Sequence, residues 1–159
     1  MSKSDDSRST DQKATREIFD APFTATAYAQ VLNGHYGAQI DHNGDFCAIL
    51  LHVPHDYSRL EKLTVVVAAN AGLPSMNFRV VCSYARNKEP FGTYGGTIDY
   101  SFASAQQIQE IDISLSVAGG AGVRSLKAGD YLGLEVSRNA GIVGVNTNLN
   151  VLGARLKYR

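Results

Sequence analysis

The chain has 159 residues, 44% hydrophobic and 19% charged, and its 15 Lys and Arg balance 15 Asp and Glu to a formal net charge of zero. That length suits one domain with a core of its own, and the balance argues against a basic surface for nucleic acid. No run approaches the roughly 20 apolar residues of a membrane-spanning helix, and the polar N-terminus lacks a signal peptide's apolar stretch, so synthesis in a cytoplasm is expected.

Residues 1–16 are almost wholly polar, with Lys3, Arg8, Lys13 and Arg16 set among Asp5, Asp6 and Asp11. Such a segment has no core to fold on. The expectation is an extended N-terminal arm that gains contacts on a neighbouring subunit, followed by one domain over 17–159. Residues 17–23 form a short apolar stretch in which Pro22 suits an edge or a strand start. Ala25, Ala27 and Ala29 alternate with polar residues up to the Asn33-Gly34 turn dipeptide. A short strand is expected over 36–40 and a turn over 42–45.

Residues 46–53 make an apolar run of strand length closed by Pro54, which reads as a central strand. Residues 55–62 read as a loop with a single helical turn, with Asp56 as its cap. The Leu-Thr-Val-Val-Val-Ala-Ala run at 63–69 is strongly β-prone. Phe78, Val80, Cys82 and Tyr84 alternate with Arg79, Val81 and Ser83 as another strand, and a long loop holds 86–96. A strand over 97–102, a short turn over 106–110 and an alternating strand over 111–117 follow. A glycine-rich loop over 119–122 leads to the closing pair.

That closing pair is the best patterned part of the chain. Ala128-Gly129-Asp130 is turn chemistry. Leu132, Leu134 and Val136 then alternate with Tyr131, Gly133, Glu135 and Ser137, the period of a strand with one buried face. In 149–158, Leu152, Ala154, Leu156 and Tyr158 are expected to share one face. Val151, Gly153, Arg155 and Lys157 take the other. Many short strands separated by turn signals, with no long amphipathic helix, predict an all-β fold: an antiparallel β-sandwich of jelly-roll type. Leu132, Leu134, Val136, Leu152, Leu156, Val65, Val67 and Phe78 are its expected core.

Candidate chemistry is sparse. His35, His42, His52 and His55 lack the compact ligand spacing of a zinc site. Cys47 and His52 lie five apart on one strand and so point to opposite faces, which argues against a Cys-His nucleophile. Cys47 and Cys82 read as buried free thiols. The Gly92–Gly96 stretch matches no phosphate-binding fingerprint, and Asp99, Asp112 and Asp130 form no carboxylate pair. No catalytic, cofactor-binding or metal-binding residue is assigned, and an enzyme is not expected. The aromatics are more suggestive. Phe91 and Tyr94 stand in a loop flanked by Tyr84, Tyr100 and Phe102, with Arg86, Asn87 and Lys88 nearby. Exposed aromatics among polar neighbours can stack on sugar rings, or they can form a subunit contact.

The closing strands, with Val53-Pro54-His55-Asp56-Tyr57, the Val-rich run after it, Ile111-Asp112-Ile113-Ser114 and Ala128-Gly129-Asp130-Tyr131, resemble virion-associated jelly-roll proteins of phages. The ending is also similar to tumour-necrosis-factor-like heads, in which Tyr158 would occupy the aromatic position near the subunit contact. The resemblance implies a bacteriophage structural protein: a homotrimer that decorates or cements a capsid beside a major capsid protein, or forms a fibre head, localised to the virion. The alternative is a carbohydrate-binding β-sandwich module with a glycan as partner. Phe91, Tyr94 and Tyr158 are its candidate interface or ligand aromatics.

Overall fold

In the computed structural model the described residues are 14–24, 28–32, 34–40, 42, 44–69, 76–85, 98–102, 108–114, 126–138 and 149–159. Eleven strands carry them in chain order: β1 (Arg16–Asp20), β2 (Phe23–Thr24), β3 (Tyr28–Leu32), β4 (His35–Ile40), β5 (Phe46–His52), β6 (Leu60–Ala69), β7 (Met76–Ala85), β8 (Ile98–Phe102), β9 (Ile108–Asp112), β10 (Tyr131–Arg138) and β11 (Leu149–Tyr158). Among the described residues there is no helix. Every strand pairing is antiparallel. One sheet runs β3-β4-β11-β6-β9, with β1 also paired to β11; the other runs β2-β5-β10-β7-β8. The two form a β-sandwich of jelly-roll type, as the alternation in the sequence predicts.

The core lies between the sheets and is set by period-two alternation. Leu132, Leu134 and Val136 of β10, Cys47, Ile49 and Leu51 of β5, and Phe78, Val80 and Cys82 of β7 point inward from one sheet. Leu63, Val65 and Val67 of β6 meet them from the other, with Ile40, Ile111, Leu149 and Leu156. All eight residues expected in the core are buried. The turn before β10 also has the expected form. Asp130 N–H donates to Lys127 O at 3.1 Å, and Gly129 at the third position has φ 84°, which a type II turn requires. The buried Asp130 carboxylate accepts from Lys127 N–H at 2.8 Å. Gly129 N–H and Asp130 O then bond Val53 O and N–H, at 2.9 and 2.8 Å, so the turn is tied to the end of β5.

Four local expectations are corrected. Residues 55–62 hold no helical turn: Tyr57 N–H donates to Pro54 O at 3.1 Å in a tight turn, and β6 begins at Leu60. Asp56 caps nothing there; it accepts from Tyr158 OH at 3.3 Å and pairs with Arg16. Where the sequence predicts a turn over 106–110 and a strand over 111–117, one edge strand, β9, spans Ile108–Asp112; residues 106–107 and 115–117 lie outside the described residues. Finally, β11 does not keep one parity. Its register against β6 shifts between Val151 and Gly153, a bulge that adds a residue to one strand. Leu149 and Val151 therefore join the core together with Ala154, Leu156 and Tyr158. Leu152 turns to the opposite face, where it packs with Val66 and Ala68. The arm expected over 1–16 lies outside the described residues up to position 13, and Arg16 itself pairs with Tyr158 as the first residue of β1.

Candidate functional site on the outer face of the six-stranded sheet

The bulge in β11 shapes the outer face of its sheet. At Gly153 an added Cβ would collide with the backbone oxygen of Asp20 and lie 2.5 Å from Phe19 Cζ. The bare backbone thus leaves a flat seat on which the Phe19 ring rests. Beside it the outer-facing Val66, Ala68 and Leu152 form a small apolar cluster separate from the core. The run 65–68 is apolar throughout because both faces of β6 are covered there, one by the core and one by this cluster.

Around that floor the sheet order assembles a groove of 380 Å³, lined chiefly by Phe19, Tyr36, Ile108, Leu152, Glu110 and Arg155. Phe19, Tyr36 and Ile108 are 47%, 61% and 49% exposed, a high value for large apolar groups. His35 and Gly34, at the β3–β4 turn, complete one end. The polar wall is Arg155. Its Nε stands 3.1 Å from Glu17 Oε1 and its guanidinium donates to Glu110 Oε1 at 2.5 Å. The cross-strand pairs Phe19–Arg155 and Val66–Glu110 hold this fork in register. Held between two carboxylates, the guanidinium is pre-oriented, so a ligand hydroxyl meets fixed donors and acceptors.

A second exposed apolar surface among the described residues lies on the five-stranded sheet, a 390 Å³ groove over Gly133 flanked by Phe23, Leu50 and Val81. Glu135 is its one charged side chain, so it lacks the paired donors and acceptors of the first groove.

The aromatics singled out in the sequence are placed elsewhere. Phe91 and Tyr94 lie outside the described residues. Tyr158 is 4% exposed; its ring packs on Tyr57 at 5.9 Å and belongs to the core cluster, so it is not presented to a ligand or a neighbour. Burial, followed by the Asp56 charge, pushes its phenol up. The four histidines do not converge on one site: His35 lines the groove, His42 faces Asp45, and His52 packs against His55 and Tyr131 at 5.7 and 5.0 Å. Among the described residues no three His, Cys, Asp or Glu side chains are grouped as metal ligands. Sequence reasoning missed Phe19, Tyr36, Arg155 and Glu110. The one readable hint was the unbroken apolar run of β6, which implies cover on both faces.

No protein-family model and no curated protein sequence matches the chain. Solved structures do. A carbohydrate-binding module CBM36 in complex with calcium and xylotriose superposes with a TM-score of 0.52 at 13% identity, covering 89% of this chain and 98% of that one. The CBM36-1 domain of a multidomain xylanase from the hindgut metagenome of Trinervitermes trinervoides gives 0.50 at 11% identity, covering 90% and 96%. At these identities the likeness is one of fold. It corrects the expectation of a capsid-decorating or fibre-head protein with a major capsid protein as partner: both of these structures of shared architecture are carbohydrate-binding modules, and neither is a virion protein.

Proposed function

We propose that the chain is a non-catalytic carbohydrate-binding β-sandwich whose sugar site is the groove on the outer face of the six-stranded sheet. The observation that carries this is the grouping of exposed Phe19, Tyr36 and Ile108 around the Glu17–Arg155–Glu110 fork. A pyranose has an apolar face of C–H groups and a rim of hydroxyls. The C–H face stacks on the aromatic and aliphatic floor, which removes apolar surface from water. The hydroxyls meet the guanidinium and the two carboxylates, which supply donor and acceptors at fixed positions. The architecture shared with CBM36 modules, one of them bound to xylotriose, supports the same reading.

Calcium accompanies the sugar in that neighbour. Here the groove's one carboxylate, Glu110, and Glu17 beside it are already engaged by Arg155. They do not fit a calcium site, and binding at the groove is routed through no metal.

Affinity gel electrophoresis against soluble xylan, mixed-linkage β-glucan and mannan tests the proposal, with isothermal titration of xylotriose as a second arm. At least one ligand should bind. Tyr36→Ala and Phe19→Ala should each weaken it roughly tenfold, the effect of losing about 1.4 kcal/mol of contact. EDTA should leave binding unchanged. Failure of the wild-type protein to bind any of these ligands would refute the reading.

A further inference from the structure

Like charges set directly opposite each other across two strands destabilise a sheet, and opposite charges stabilise it. β6 and β11 go against that rule: Lys157 stands opposite Lys62. Leu63 and Leu156 point into the core, so both lysines point outward, onto the face that carries the groove. Lys157 is exposed and Lys62 half-buried, so both reach solvent. At this register their Cβ atoms are roughly 4.5–5.5 Å apart. Among the described residues neither ammonium stands in an ion pair.

The carboxylates nearest to them are engaged elsewhere. Glu17 lies opposite Lys157 on β1, but Arg155 holds it at 3.1 Å. Glu61 lies between Arg59 and Arg159, at 2.8 and 3.1 Å. Asp112 accepts from Ser114 N–H at 2.9 Å and from its hydroxyl at 2.6 Å. Two cations are thus left facing each other. Their position ties them to the groove. Lys157 is two residues from Arg155 on the same face of β11, roughly 7 Å along the strand, and Arg155 lines the groove. Lys62 is equally far from Thr64, which stands opposite Arg155. The lysine pair therefore adjoins the groove just beyond the Phe19–Arg155 row.

We infer that Lys62 and Lys157 form a subsite for an anionic substituent on the glycan. A neutral sugar ring rests on Phe19, Tyr36 and Ile108, while a carboxylate or sulfate ester, on that ring or the next, lies between the two ammonium groups. One oxyanion between two cations turns a standing repulsion into two charge-assisted contacts. Arg155 cannot serve in this way, because two carboxylates already hold it. A lysine ammonium is a compact charge on a flexible stem and sets no planar geometry, so the assignment is the chemistry that carboxylate and sulfate share. The ligand class is then a polysaccharide with a neutral backbone and acidic substituents. This inference rests on the carbohydrate reading above.

The test takes whichever of xylan, β-glucan and mannan the wild type binds and titrates it unmodified, lightly methylated, lightly carboxymethylated and lightly sulfated, the derivatives at equal substitution. At low salt an anionic form should bind roughly tenfold more tightly than the neutral methylated form, and comparing the two anionic forms tells a carboxylate site from a sulfate site. The advantage should shrink at roughly 0.3 M salt, where exposed charges are screened. Lys62→Gln combined with Lys157→Gln should bind methylated and anionic forms alike. Arg79→Gln combined with Lys127→Gln removes the same charge from β7 and the turn before β10, and should keep the advantage, which separates the subsite from a general attraction for polyanions. Lys62→Glu should abolish the advantage and, by pairing with Lys157, raise Tm by about 2 °C. Equal binding of neutral and anionic forms by the wild type, with Tyr36→Ala still impaired, would overturn this inference alone and leave the carbohydrate reading standing. So would an advantage that survives the loss of both lysines, one lost equally with Arg79 and Lys127, or a lowered Tm in Lys62→Glu. A wild type that binds none of the three unmodified polysaccharides removes both readings together.

Discussion

Cys47 and Cys82 show how far the environment of a single residue sets its chemistry. Both are fully buried and free. They sit on β5 and β7, the strands either side of β10, and two strand spacings, roughly 9–10 Å, are too wide for a disulfide. The sequence reading of two inert thiols holds. Burial pushes each thiol from 9.0 up to about 12. The unfolded chain therefore loses these protons first as the pH rises, and stability contributed by the protonated thiols is intact below about pH 9 and lost toward pH 12. Denaturant melts should give constant stability through neutral pH, then a decline above pH 9 of about 1.4 kcal/mol per pH unit for each thiol. Burial raises the Tyr57 and Tyr158 phenols in the same direction, which steepens the decline above pH 10. A thiol-specific reagent that labels the native protein at pH 8 as fast as the unfolded one would contradict this account.

At the level of the element, the bulge in β11 carries the site. Gly153→Ala must move both the Asp20 carbonyl and the Phe19 ring. The substitution should destabilise the protein by about 1–3 kcal/mol, as overpacking does, and should weaken binding at the groove, both readable from a melt and a titration of one sample. The same bulge marks the boundary of what could be read in advance. β10 was legible because three inward apolar residues alternate with Gly, Glu and Ser without interruption. β11 was legible from Ala154 onward, but a one-residue shift at 151–153 exchanged the faces of everything before it, and nothing in Asn-Val-Leu-Gly announces which residue is extra. β9 was hidden for another reason. It is an edge strand in which Ile111 alone is buried while Ile108 is exposed, so it carries little periodic signal. The groove was illegible because Phe19, Tyr36, Ile108 and Arg155 come from four separate strands and share no motif; strand order alone brings them together.

For the whole molecule, the decisive feature is where β11 sits. It fills the centre of its sheet, with β6 along one edge and β4 and β1 sharing the other. Its partners on both sides precede it in the chain, β1 from the very start of the described residues. Pairings of such separation make folding slow. A chain truncated after residue 148 should therefore accumulate in the insoluble fraction on expression, where removal of a peripheral strand would leave soluble protein. On the ribosome the consequence is sharper. β4 and β6 emerge early with facing edges that have nothing to pair with, and they stay so until residues 149–158 clear the exit tunnel. Throughout that interval the nascent chain exposes a β-prone valine run beside an unfilled strand-wide gap. This sandwich can close only after translation has passed its last strand, and it depends until then on whatever holds nascent chains apart.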